Sequence, residues 1–105
     1  MIENLSKKEL VFSLVKKIPH GKIVSFGQIG NILNINPRIV GFILSGMKKS
    51  EMGLIPWHRV VDRKGFISSS KLGEKGILQK KLLEMEGLKI KGFQIIKPEK
   101  YWWKF

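Results

Sequence analysis

Residues 55–61 bring an indole, an imidazole and a guanidinium together behind a rigid proline, as Ile55-Pro56-Trp57-His58-Arg59-Val60-Val61. Such a run suits a pocket wall that stacks a planar ligand, with the indole as the flat face and the neighbouring groups as its polar edge. It also suits a core tryptophan at a strand start, with His58 hydrogen-bonded locally, which is the commoner outcome for such a pair. Nucleophilic and metal chemistry have little to work with. The chain holds no cysteine, which excludes disulfides, thiolate zinc sites and a thiolate nucleophile. The two histidines, His20 and His58, stand far apart in the sequence, which argues against a histidine-based metal site. No metal and no cofactor is expected.

A second group of residues is spaced for a surface. Asn36 followed by Pro37 reads as a helix N-cap and first-turn proline, opening a helix that runs to about Lys48. Val40, Ile43, Leu44 and Met47 form its inward stripe. Arg38, Gly41, Phe42 and Ser45 fall at i, i+3, i+4 and i+7 on another side. That face is poorly equipped to read base edges in a major groove, because it lacks Asn, Gln or a second Arg. Its small residues let a helix backbone come close to something. A minor groove is one candidate, with Arg38 or Phe42 as an inserted wedge, and close helix–helix packing is the other.

The elements that position these groups can be read around them. Ser6-Lys7-Lys8-Glu9 has the capping-box form and opens a first helix carrying Leu10, Val11, Leu14, Val15 and Ile18, which ends near Lys17. His20-Gly21 makes a turn. Ser25 and Gln28 form a second capping box ahead of a short helix with Ile29, Ile32 and Leu33 on one side, ended by Asn34. This helix and the one after Pro37 make a helix-turn-helix unit. Leu54 to Asp62 reads as extended, and 68–73 as a polar loop. A last helix spans Glu74 to Glu86, with Ile77, Leu78, Lys81, Leu82 and Met85 along one side and Gly87 as its stop. Leu88 to Lys97 alternates apolar and basic residues like an edge strand or extended tail. Tyr101 to Phe105 is either a core clasp or an exposed patch. The fold class is therefore mainly α with short β segments, a helix-turn-helix DNA-binding domain in one unit of 105 residues.

Charge agrees with that class. Twenty Lys and Arg against eight Asp and Glu give +12. The first 53 residues carry eight basic and three acidic side chains, and the remainder twelve and five. The surplus is spread along the chain rather than gathered in a tail, which fits a domain that meets a polyanion and also a solubility surface or a ribosome-bound protein. No apolar run approaches the ~18 residues of a membrane span, and the N-terminal residues lack a signal peptide's apolar core. A cytoplasmic location is expected.

Pro56-Trp57-His58-Arg59-Val60 resembles the Pro-Cys-His-Arg-Val motif of the O6-alkylguanine-DNA alkyltransferases, with tryptophan in the place of cysteine, as in the alkyltransferase-like proteins. Three further matches follow in the same order along the chain. Ile18-Pro19-His20-Gly21-Lys22 through Ser25-Phe26-Gly27-Gln28-Ile29 is similar to the approach to the family's first DNA-binding helix. Pro37-Arg38-Ile39-Val40-Gly41 is similar to its arginine-finger segment, and Leu82-Leu83-Glu84-Met85-Glu86-Gly87 to the end of its last helix. The resemblance covers about Ser6 to Phe105 and corresponds to the family's C-terminal DNA-binding domain, which implies a helix-turn-helix (winged-helix-like) fold.

The resemblance implies a set of roles. Arg38 is the finger that fills the space left by a flipped nucleotide, and Trp57 takes the cysteine's place at the pocket floor. His58 and Glu86 match the pair that relays a proton from the thiol, and here persist as a buried hydrogen-bonded pair. Arg59 anchors the pocket strand. The lesion pocket then comprises Phe26, Trp57, His58, Arg59 and the loop residues Ser68, Ser69 and Ser70. The DNA-binding set is Phe26, Gln28, Arg38, Gly41, Phe42 and Ser45. Two residues depart from the family. Phe26 stands where a tyrosine usually drives the nucleotide out of the stack, and Lys49 where an asparagine braces the active-site turn. The implied function is a monomeric, non-enzymatic sensor of O6-alkylguanine in double-stranded DNA that flags the base for nucleotide-excision-repair proteins. A generic helix-turn-helix regulator without lesion specificity is the alternative, and an RNA-associated basic protein a third.

Overall fold

The computed structural model describes residues 5–67 and 73–105. Helix α1 (Lys7–Val15) starts at a complete capping box, in which the Ser6 hydroxyl accepts from the Glu9 N–H and the Glu9 carboxylate from the Ser6 N–H. It buries Val11, Leu14 and Val15. The chain then turns at Gly21, whose φ of +80° is open to glycine at no steric cost. It enters β1 (Val24–Ser25), and Ser25 is at once the strand's last residue and the N-cap of α2 (Phe26–Leu33).

Asn34 ends α2 in the left-handed conformation and returns its N–H to the Gly30 carbonyl. After two residues α3 (Pro37–Ser45) begins, with the Asn36 side chain accepting from the Arg38 N–H. The turn is tight enough that a Cβ on Gly30 would lie 2.4 Å from the Ile35 carbonyl oxygen, so only glycine fits there. Helix α3 stops three residues earlier than the apolar spacing suggests, because Gly46 takes the cap, and a separate short helix α4 (Lys49–Met52) follows.

The segment expected to be extended from Leu54 is not. Pro56 starts a 3-10 turn over Trp57–Arg59, and the strand β2 is confined to Val60–Val61. It pairs in parallel with β1, Val24 opposite Val60 and Ser25 opposite Val61. Parallel partners need a long crossover, and the helices between them supply it. On the other side of β1, Ile23 donates to the Tyr101 carbonyl and accepts from the Trp103 N–H, both at 2.9 Å. The aromatic C-terminus is thus a clasp on the sheet, not a loose patch.

Helix α5 (Glu74–Met85) contradicts its expected orientation. The inward residues are Gly76, Gln79 and Leu83, while Ile77, Leu78 and Met85 are 49%, 42% and 79% exposed. The reason is polar. Gln79 donates its side-chain N–H groups to the carbonyls of His58 and Val60, at 3.1 and 3.0 Å. A buried amide with two acceptors fixes the helix rotation against a count of apolar residues. After Gly87 the chain forms a tight antiparallel hairpin of β3 (Ile90–Lys91) and β4 (Gln94–Ile95), where the alternation reads as one extended segment. Two adjoining cores result, one among α1, α2, α3 and Trp57, the other among Ile23, Val61, Ile67, Leu83, Leu88 and Ile95.

Candidate functional site

A cavity of about 410 Å³ opens beside α3, lined by Phe26, Pro37, Arg38, Gly41, Leu44, Ser45, Trp57, Val60, Lys75 and Gln79. Each wall has a local cause. Phe26 is the first residue of α2 and half buried, and its ring passes 3.8 Å from where a Gly41 Cβ would stand. The glycine therefore sets the width of the mouth between α2 and α3. Arg38 and Ser45 are exposed along the same side of α3. Phe42 projects from that side at 81% exposure, outside the cavity lining. Trp57 is 5% exposed and forms the wall opposite α3.

Two lining residues carry no signal in the sequence. Lys75 donates to the carbonyls of Leu44 and Ser45 at the end of α3, each at 3.2 Å, and its Nζ lies 5.2 Å from the centre of the Trp57 ring. Gln79 holds the Trp57 turn through the two carbonyls named above. The turn is braced from α5, and Lys49 lies exposed at the start of α4. Only the packing of α5 across α3 and the turn brings these groups to the site.

His58 and Arg59, expected in the pocket wall, do not line this cavity. Successive side chains of a 3-10 turn point about 120° apart, so when Trp57 faces α3 its neighbours face elsewhere. His58 Nε2 lies 2.6 Å from Glu86 Oε2. Arg59 donates to the same carboxylate through Nε at 3.0 and 3.1 Å and Nη2 at 2.8 Å, and through Nη1 to the Ile18 carbonyl at 2.7 Å. The Gly21 N–H completes the set at 2.7 Å from Glu86 Oε1. One carboxylate thus ties the Gly21 turn, the Trp57 turn and the end of α5 together.

The electrostatics follow from the geometry. Burial works to raise the Glu86 pKa, but the hydrogen bonds from Arg59, His58 and Gly21 outweigh it and hold the group down at about 2. Burial lowers the His58 pKa below 6.5, against the raising influence of Glu86. Because the carboxylate is ionised, it accepts, and the neutral His58 must donate from Nε2.

Of the other expected residues, Gln28 is turned inward. Its Oε1 accepts from the Ser25 N–H at 2.9 Å and its Nε2 donates to the Trp103 carbonyl at 2.8 Å. The capping box and the C-terminal clasp use up the side chain. Ser68, Ser69 and Ser70 lie outside the described residues. No group of three His, Cys, Asp or Glu side chains placed to hold a metal occurs among the described residues, and no helix there is long and apolar enough to cross a membrane.

Residues 6–88 match the family described as 6-O-methylguanine DNA methyltransferase, DNA binding domain. In sequence, the chain is 44% identical over 80 residues to the methylated-DNA–protein-cysteine methyltransferase of Saccharolobus solfataricus, covering 76% of this chain and 50% of that one. It is 40% identical over 81 residues to the Sulfolobus acidocaldarius protein of the same name. The chain spans about half the length of these relatives. In structure, it is similar to S. pombe Atl1 in complex with damaged DNA containing O6-carboxymethylguanine, with a TM-score of 0.79 at 28% identity, covering 95% of this chain and 99% of that one. A second structure, S. pombe ATL in complex with DNA, gives 0.80 at 27% identity over 99% and 97%. The O6-methylguanine-DNA methyltransferase of Pyrococcus kodakaraensis gives 0.58 at 27% identity over 81% and 48%. With Trp57 at the cysteine position of the motif and no cysteine elsewhere, the chain belongs to the DNA-binding-domain family of the O6-methylguanine-DNA methyltransferases as an alkyltransferase-like member.

Proposed function

We propose that the chain binds duplex DNA at an O6-alkylated guanine, takes the base into the cavity between Phe26 and Trp57, and leaves its alkyl group in place. The observation that carries this reading is the cavity itself, floored by an indole where the family motif has a thiol. Alkyl transfer needs a soft nucleophile. An indole is not one, and the chain has no cysteine to replace it. Hydrolysis would need a base facing the pocket, and His58, held on Glu86 behind the turn, does not line it.

In this reading α3 lies in the minor groove and Arg38 enters the duplex in place of the extruded nucleotide. An alkyl group at O6 weakens pairing, which reduces an extrusion cost of roughly a few kcal/mol. The phenyl ring of Phe26 keeps the steric wedge of the tyrosine it replaces, without the hydroxyl. Lysines outside the cavity neutralise phosphates. The S. pombe proteins of the same fold, solved on DNA and on DNA carrying O6-carboxymethylguanine, support binding of alkylated DNA by this fold. We further propose that the chain works as a cytoplasmic monomer whose lasting complex flags the lesion for nucleotide-excision-repair proteins.

The test is binding to two short duplexes, one with a single O6-methylguanine and one unmodified, at the same near-physiological salt, with mass spectrometry of the recovered DNA. Much tighter binding of the methylated duplex, with the methyl group retained, is the expected result. Equal affinity would leave a generic helix-turn-helix DNA binder. Loss of the methyl group would mean catalysis.

A further inference from the structure

We infer that Lys75 biases the cavity towards guanines whose O6 substituent ends in a carboxylate, over neutral substituents of the same size. The inference rests on the reading that this cavity takes an O6-alkylated base. Lys75 is the second residue of α5, and its Nζ donates to the carbonyls of Leu44 and Ser45. Those carbonyls close α3, where the helix leaves partial negative charge. They pin the ammonium at one spot instead of letting it swing in solvent.

The same Nζ sits over the Trp57 ring, 5.2 Å from its centre. An ammonium has three N–H donors. Two are committed to the carbonyls, which leaves one for the ring face or for a ligand. The described lining of the cavity holds one other cation, Arg38, and no carboxylate, so the formal charge that an entering anion meets among the described residues is positive. Burial lowers the Lys75 pKa, a cost that an arriving carboxylate offsets. A hydrogen bond from an ammonium to a carboxylate is about twice as strong as one between neutral groups, so the discrimination acts on charge rather than on size. A DNA phosphate is the other anion a lysine could meet, and the experiment separates the two.

Binding is measured to three duplexes identical except at one guanine, which is O6-carboxymethylated, O6-carbamoylmethylated or unmodified. The first two substituents match in size and differ in charge. The wild-type chain is expected to bind the carboxymethyl duplex roughly tenfold more tightly than the carbamoylmethyl duplex. In Lys75→Met that ratio is expected to fall to about one. A wild-type ratio of about one would overturn the inference without any variant having to fold. So would an unchanged ratio in folded Lys75→Met. Equal weakening on all three duplexes would overturn it too, by making Lys75 a phosphate contact. If the wild type bound neither adduct better than plain guanine, the proposed function itself would fail and this inference with it. Equal preference for both adducts over guanine would sink the inference alone.

Discussion

Glu86 accepts from His58, Arg59 and the Gly21 N–H at once, and this one side chain sets both the stability and the pH response of the site. In the folded chain it stays ionised down to about 2, against the usual 4.5. Its contribution is complete above about pH 4.5 and is lost as pH falls towards 2. His58 is held neutral below its usual 6.5, so proton uptake below that pH favours the unfolded chain. Both effects act in one direction, and the urea midpoint is expected to drop steadily from pH 7 to about pH 3. Glu86→Ala leaves the largely buried Arg59 guanidinium with the Ile18 carbonyl but no carboxylate and is expected to cost on the order of 3 kcal/mol at pH 7. Between about pH 4.5 and pH 3 the variant should decline less steeply than the wild type. Urea unfolding of both proteins across that range checks the two statements together, and parallel curves would contradict them. The pairing of His58 with Glu86 is legible only through the resemblance to the family. Nothing local links two residues whose meeting depends on how α5 docks against the Trp57 turn.

The helix-turn-helix presents a face built by what is missing from it. A Cβ on Gly41 would make only ordinary contact with Phe26, whereas a branched side chain there would reach across the mouth of the cavity. Gly41→Leu is therefore expected to leave the melting temperature within a few degrees, since it gains helix propensity of about 1 kcal/mol. It should weaken binding to an O6-methylguanine duplex by roughly tenfold or more. Thermal melting and equilibrium binding on the same preparation separate the two effects. Unchanged affinity would remove this cavity from the account. The elements that read well from sequence are those with local causes. Ser6 with Glu9, Ser25 with Gln28, and Asn36 with Pro37 each fix a helix start within four residues. The rotation of α5 has a distant cause, since Gln79 finds its acceptors on the Trp57 turn. The turn at Trp57–Arg59 is hidden although its cause is local. Two valines and a tryptophan suggest a strand, and the constraint that overrides them is the proline before them. Lys75 is illegible because its partners are carbonyls 31 and 30 positions away, at the end of another helix.

Across the whole molecule the charge of +12 gives attraction to DNA without regard to sequence or damage, and the cavity adds discrimination on top of it. The two contributions should separate in salt. Log affinity is expected to fall linearly with log salt, by about 0.9 for each phosphate neutralised, on methylated and unmodified duplexes alike. The ratio of the two affinities should hold within about twofold between roughly 50 and 200 mM salt. A ratio that collapsed with salt would mean that the preference is itself electrostatic. The central claim concerns where the damaged base goes and what happens to it. The measurement that addresses both is a crystal structure of the chain on a duplex carrying one O6-methylguanine. The account predicts the base out of the stack and against Trp57, its methyl group still on O6, with Arg38 occupying the space it left. A methylguanine still stacked in the duplex, or a guanine without its methyl group, would contradict it.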